Sequence, residues 1–382
     1  MRYLLLTIIV FLATSIVTAE PLNRQQLARL EPITLIELEI PEQKQRAASN
    51  NKYATIQQPR PLQIASTKKI AQSLDSMTNW QIIDNLAILR LKLSVNDAKH
   101  LNLGLDNVAL PDSGRLYLLD GSTEQPLKSY VAEDINNHQI WTPQLINNSL
   151  IIELQVLASD IELVTISLRQ VGIGEKDFST DSWLKSGSCN IDIVCSEGDN
   201  WRDISRAVTR YSISDANGTY ACTGTLVNTD RHDQRPIILT AAHCLVAEST
   251  AASMIFYWNY ETSMCGAQPD GDLTQTSMGA TFIARGEGIE SRSDFALVEL
   301  LEPPPADYAV FFSGWNAIDQ AAENVVSIHH PDGDEKRISI DSDPLLITQY
   351  GEDSSADAAQ FYRIISWDAG TTEGGSSGAG IW

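Results

Sequence analysis

From about residue 80 onward, apolar and polar positions alternate in short runs. Leu89, Leu91, Leu93 and Val95 alternate with Arg90, Lys92 and Ser94, the period-two pattern of a strand with one buried face. RLYLLDG (115–121), LIIELQVL (150–157) and VTISLRQV (164–171) repeat the theme with turn residues between them, predicting a β-rich domain over about 80–172. That stretch carries no cluster of His, Cys or carboxylates that points to chemistry. Residues 20–75 instead mix short apolar pieces with polar, proline-containing stretches such as QQPRPLQ (57–63). The polar, Gly/Ser-rich GIGEKDFSTDSWLKSGS (172–188) reads as a linker. From Cys189 onward short apolar runs alternate with loops: CTGTLVN (222–228), PIILTAA (236–242), MIFYWNY (254–260), ATFIA (280–284), DFALVEL (294–300), NVVSIHH (324–330) and RIISW (363–367). Short, regularly spaced strands without convincing amphipathic helices predict an all-β sandwich or barrel.

The amino end changes this picture by adding an export signal. Arg2 supplies a positive start, Leu4 to Val17 an apolar run, and Val17-Thr18-Ala19 a small-residue cleavage pattern before Glu20. The run is short for a spanning helix and no later segment is apolar enough to span, so residues 1–19 are expected to be removed. The product is expected to be secreted, crossing a periplasm in transit where one exists, with no membrane contact once the signal is gone.

Length and charge set further bounds. At 382 residues the chain has room for two or three domains. Residues 186–382 carry 10 basic and 29 acidic side chains, so −19 of the net −22 lies there. Such a field disfavours nucleic acid and anionic membranes and attracts cationic peptides at low salt. The five cysteines, Cys189, Cys195, Cys222, Cys244 and Cys265, all lie beyond residue 185. In an exported protein they suggest disulfides confined to one domain, with one thiol left over. No CxxC pair is present, which argues against a zinc ribbon or thioredoxin-type site.

Three segments carry candidate chemistry. TAAHC (240–244) puts His243 where an apolar run meets a loop; SDFALVEL (293–300) opens on Asp294; TEGGSSG (372–378) presents Ser377 among glycines. A lone His or Asp at a strand end is more often structural, and a Gly/Ser run alone reads as a linker. The order His, Asp, Ser in an exported, disulfide-bearing domain points instead to covalent peptide-bond hydrolysis. Ser377 would be the nucleophile, His243 its base, and Asp294 the group that orients the imidazole. Glycines permit a tight turn in which the backbone N–H groups of Gly375 and Ser377 converge on an oxyanion. His329, His330 and Asp332 are weak metal candidates, because adjacent side chains rarely converge and no HExxH occurs. Tyr257, Trp258 and Tyr260 read as barrel core.

Residues 189–382 resemble the catalytic domain of secreted bacterial lysyl endopeptidases, a branch of the trypsin/chymotrypsin-like serine proteases. The matching strings are CNIDIVC (189–195), CTGTLVN, LTAAHC, AASMIFYWNYETSMC (251–265), SDFALVEL, GW (314–315), IHHPDGDEKRIS (328–339) and TEGGSSG. Residues 80–180 resemble, less specifically, the β-rich pro-region ahead of such proteases. The resemblance implies a double Greek-key β-barrel with His243, Asp294 and Ser377 as triad, and selects Ser377 over Ser376 by the G-x-S-G frame. It implies the disulfides Cys222–Cys244 and Cys195–Cys265. It would pair Cys189 with a cysteine after the nucleophile, so the carboxyl end is expected to be truncated, without the last strands and the acidic floor of the specificity pocket. The chain departs from the family in Ala379, where Ser-Pro follows the glycine in relatives, and in Tyr350, which stands where an active-site Trp is expected.

Lysine usage bears on specificity. Residues 186–382 contain one lysine, Lys336, against nine arginines, while residues 1–185 hold nine lysines ending at Lys185. A protease cutting after Lys would spare its own domain, and a cut between Lys185 and Ser186 would free the mature amino terminus. The expected organisation is signal 1–19, pro-region 20–185 and protease 186–382. The expected protein is a monomeric zymogen needing no cofactor or metal, with protein or peptide substrates and its own pro-region as intramolecular partner. The alternatives are a related protease of broader specificity and an inactive binding module on the same fold.

Overall fold

The computed structural model describes residues 30, 33–39, 60–77, 79–178, 186–287, 293–318, 320–348 and 361–382. The expected signal segment, Lys185 and Tyr350 lie outside the described residues.

The first half holds β1 (Thr34–Leu38), β2 (Leu62–Ser73), β3 (Gln81–Ile83), β4 (Leu86–Val95), β5 (His100–Ala109), β6 (Arg115–Asp120), β7 (Pro126–Tyr130), β8 (Ile140–Trp141), β9 (Ser149–Leu157) and β10 (Thr165–Gly174). One sheet runs β1-β4-β9-β6-β7 with β3 beside β4; the other includes β2-β10-β5-β8. Leu91 and Leu93 of β4 and Ile152 and Leu154 of β9 share a core with Leu103 and Leu105 of β5 and Val171 and Ile173 of β10. The two sheets thus bury their facing sides against each other, as a sandwich must.

Alternation along β4 fails at Arg90, which the period-two pattern assigns to an open face. Arg90 is buried, its Nε 2.8 Å from Glu153 and its Nη2 2.6 Å from Glu124 of the β6–β7 turn. The boundaries also need correction. The β-rich unit extends back beyond residue 80 to β1 and β2, and the expected linker begins too early. Its first residues complete β10, and Phe178 is buried.

The second half holds β11 (Ile191–Asp192), β12 (Val208–Ser214), β13 (Gly218–Val227), β14 (Ile237–Thr240), β15 (Ile255–Tyr257), β16 (Thr276–Met278), β17 (Ala280–Arg285), β18 (Ala296–Leu300), β19 (Val325–His329), β20 (Arg337–Asp341), β21 (Leu346–Thr348) and β22 (Phe361–Arg363). Strands β15-β12-β13-β14-β18 pair in succession, while β16 pairs with β15 and β17 with β18. Only Gly279 separates β16 from β17, and its φ of +74° bends the chain there. The two strands therefore act as one bent stave that closes the sheet into a barrel. Tyr211, Leu226, Ile238, Phe256, Trp258 and Val298 fill it. Tyr257 and Tyr260, expected in the same core, are buried in a separate cluster with Ile255, against Trp141 of β8. Strands β11-β20-β19 form a second, three-stranded sheet, and β21 pairs with β22. The run expected as a strand over 363–367 ends at Arg363.

One strand belongs to both halves. Leu62 to Ser66 of β2 pair antiparallel with Ala221 to Gly218 of β13, whereas Ser66 to Ser73 pair with β10. Around this seam polar groups are matched: Asn102 contacts Ser214 and Thr219, and the Tyr257 hydroxyl accepts the N–H of Gln144 at 2.9 Å. His100 is fully buried at the seam. Its ring centroid lies 5.4 Å from that of Phe178, and the Gln144 amide is 3.3 Å from its Nε2.

Burial, aided by the Arg210 charge, pushes the His100 pKa from 6.5 down to about 3, against a smaller opposing pull from Asp177. The ring is neutral when folded and gains a proton on unfolding, so its contribution to stability is lost as pH falls from about 6.5 toward 3. The urea midpoint is expected to drop across that range, and His100→Gln should flatten the profile by about one proton, or about 1.4 kcal/mol per pH unit. An unchanged pH slope in the variant would remove His100 from this role.

Candidate active site

The site is built where barrel strands end. The apolar strand β14 carries the chain out of the core into a single helical turn, Ala242–Cys244, which presents His243. Asp294 stands just before β18, which pairs with β14 through Thr240 and Ala296. Strand pairing therefore brings together two residues far apart in sequence. Asp294 Oδ2 lies 2.6 Å from His243 Nδ1, and Oδ1 accepts the His243 backbone N–H at 2.8 Å. With both oxygens engaged, the carboxylate fixes the ring and favours the tautomer with its proton on Nδ1. His243 Nε2, the remaining lone pair, is shielded from solvent and has no hydrogen-bond partner among the described residues.

Ser377 arrives from the other side. The Thr223 N–H of β13 donates to the Ser377 carbonyl at 2.8 Å, and the Thr223 hydroxyl donates to the Gly375 carbonyl at 2.9 Å. Cys222, the residue before Thr223, is disulfide-bonded to Cys244, the residue after His243. The three expected residues thus sit on segments tied directly to one another, although Ser377 Oγ makes no hydrogen bond to Nε2. Gly375 has a φ of +95°, a conformation that side chains disfavour. A Cβ there would also stand 2.6 Å from the Gly333 nitrogen. An open cleft of about 1020 Å³ borders the pair, lined by His243, Asp294, Phe295, Trp315, Gly378 and Trp382.

Both expected disulfides are present, Cys195–Cys265 and Cys222–Cys244, and Cys189 is an exposed free thiol. Ser186 lies beside the site: its N–H donates to Asp334 at 3.0 Å, while Gly187 donates to Glu373 at 2.9 Å.

Sequence reasoning missed the support under the Gly375–Ser377 loop. The Glu373 N–H donates to Ser376 Oγ at 3.2 Å, and Ser376 Oγ lies 2.9 Å from Nδ1 of the buried His329. His329 Nε2 is 3.0 Å from Ser339 Oγ, which donates to the Thr371 carbonyl at 2.9 Å. The fixed backbone groups at both ends set the direction: Ser376 donates to Nδ1, and Nε2–H donates to Ser339. This needs a neutral imidazole, and burial holds the His329 pKa down at about 4. The adjacent His330 donates or accepts toward neither serine; its Nδ1–H donates to the Asp334 carbonyl at 2.8 Å. The HisHis pair was visible in sequence as a weak metal candidate, and nothing local marked it as the strut of the Gly-Ser-Ser loop.

Residues 184–382 match the family described as lysyl endopeptidase, C-terminal domain. The lysyl endopeptidase of Pseudomonas aeruginosa is 28% identical over 347 residues, covering 84% of this chain and 71% of that protein. Among solved structures, a thermostable serine protease AL20 from an extremophilic microorganism shares 14% identity at a TM-score of 0.35, covering 47% of this chain and 78% of its own. The protease Anisep from Arthrobacter nicotinovorans shares 18% at 0.34, covering 50% and 80%. With more than half of its length in the matched domain, this chain belongs to the lysyl endopeptidase family and is a serine endopeptidase.

Proposed function

We propose that the protein is a secreted zymogen that hydrolyses peptide bonds on the carboxyl side of lysine through Ser377, His243 and Asp294. The observation that carries this reading is the His243–Asp294 pair, 2.6 Å apart, with a shielded and unpartnered Nε2. In the reaction His243 Nε2 takes the Ser377 hydroxyl proton as Oγ attacks the substrate carbonyl. The backbone N–H groups of Gly375 and Ser377 receive the oxyanion, a role worth about 10²–10³ in rate per donor. The imidazolium then gives its proton to the departing amine, and water repeats the sequence on the acyl-enzyme. Asp294 stabilises the imidazolium and stays ionised. None of these steps requires a cofactor.

Two observations favour lysine over arginine. Lys336, the single lysine of residues 186–382, is fully buried, with its Nζ donating to the Ser205 carbonyl at 2.7 Å. Arg231, Arg235, Arg285 and Arg363 are solvent-exposed in the same half. Lys68, Lys69 and Lys99 of the preceding half are exposed too. An enzyme cutting after lysine would find sites in the pro-region and none on itself. Cleavage between Lys185 and Ser186 would release residues 186–382 as the mature domain.

Peptides released from a denatured protein should end almost wholly in lysine when sequenced by mass spectrometry, and Ser377→Ala should lower kcat by on the order of 10⁶-fold. Equal cutting after arginine would discard the narrow specificity, and activity surviving Ser377→Ala would discard the triad. His329→Ala should lower kcat about tenfold with little change in KM, one hydrogen bond's worth of loop positioning. A change in KM alone would contradict that role.

A further inference from the structure

The pairing of β2 with β13 leads past the interface to the nucleophile. Ala221 of β13 faces Leu62, and one residue further along β13 is Cys222, then Thr223, whose N–H holds Ser377. Because the strands are antiparallel, stepping forward on β13 is stepping backward on the pro-region, through Pro61 to Arg60. Each step covers about 3.3 Å, so the Arg60–Pro61 bond is delivered to the segment that carries Ser377. Leu62 confirms the approach from its own side chain. It packs with Ile64, Ala221 and Phe178. A Cβ added at Gly374, next to Gly375, would stand 3.5 Å from Leu62 Cδ1, and one at Gly333 would stand 3.4 Å from Cδ2.

We propose that residues 60–66 are an internal, substrate-like inhibitor, docked as an added strand on the Gly218–Ala221 edge of β13 with the Arg60–Pro61 bond directed at Ser377. This rests on the catalytic reading given above. The ladder supplies sequence-independent affinity and Leu62 and Ile64 supply the apolar anchors, the usual division of labour in strand addition. The second half of β2 is held by β10, so the inhibitor is tethered and its effective concentration is high. The residue at the scissile position explains why the segment is not consumed. Proline follows it, and a tertiary amide whose nitrogen is locked in a ring crowds the carbonyl and resists the pyramidal geometry that the leaving amine must adopt. Arginine at residue 60 is also the less favoured cation for a lysine-preferring site.

The test is Arg60→Lys combined with Pro61→Ala in the full-length protein, followed by amino-terminal sequencing at several protein concentrations. The doubly substituted chain should be cut after residue 60 at a first-order rate that does not change over a hundredfold dilution, while the unsubstituted chain stays intact there. In parallel, a synthetic peptide of residues 60–67 should inhibit the processed enzyme competitively against a small lysine ester and survive intact. Leu62→Asp within that peptide should weaken inhibition at least tenfold. Absence of a cut after residue 60, a cutting rate that scales with concentration, or noncompetitive inhibition would overturn the docking while ester hydrolysis persists. Loss of Ser377-dependent ester hydrolysis in the unsubstituted processed enzyme would instead overturn the catalytic reading.

Discussion

Strand β13 is the constraint on which the rest of the structure leans. It pairs with β12 and β14 inside the barrel and with β2 of the preceding half. Its Cys222 is bonded to the residue after His243, and its Thr223 spends two of its three polar groups on the Ser377 loop: the N–H on the Ser377 carbonyl, the hydroxyl on the Gly375 carbonyl. The same hydroxyl accepts the N–H of His330 at 3.1 Å. A shift of β13 along its register would therefore move His243, the Ser377 loop and strand β2 together. Register in a closed barrel is set by which face of each strand is buried, so core packing around Tyr211, Leu226 and Ile238 is what ultimately sets the active-site spacing.

Ser376 is held from beneath by neutral groups. Beneath Ser376 lies a chain of hydroxyls and one uncharged imidazole, each with its donors and acceptors assigned. A buried ion pair in that place would carry a desolvation cost that only near-ideal geometry returns. A satisfied neutral relay avoids that cost and still fixes orientation, because each member has one remaining way to point. Asp294 and His243, which would carry the charges of the proposed reaction, instead line the cleft.

Much of this was legible from sequence where the signal is local. Period-two runs located β4, β6, β9 and β10, and the ordered contexts of His243, Asp294 and Ser377 pointed to segments that the fold brings together. What escaped is what depends on distant partners. The sequence of β2, LQIASTKKIAQS, has no clean alternation because its two ends face different neighbours: Ala221 to Gly218 across one seam, β10 across another. Arg90 reads as an outward residue until Glu153 and Glu124 arrive to cover it. His329 has no sequence mark of its function, because its partners lie ten and forty-seven residues away.

The lysine distribution gains weight once burial and charge are considered together. Compositional drift in an acidic domain would lower lysine and arginine alike. Electrostatics predicts the opposite of depletion, since a surface with an excess of 19 negative charges favours any added cation. Yet residues 186–382 keep nine arginines and place their one lysine at zero exposure; Arg206 meets the single carboxylate of Asp203, whereas Arg235 grips both oxygens of Glu299 and Arg202 also donates to the carbonyls of Ile193, Val194 and Cys195. Burying that ammonium is unfavourable enough to lower its pKa despite the neighbouring Glu261. A pressure that removes exposed lysine and tolerates exposed arginine must distinguish two residues of equal charge. The guanidinium forks of Arg202 and Arg235 draw one such distinction; the lysine specificity proposed above draws another, and overall charge draws none.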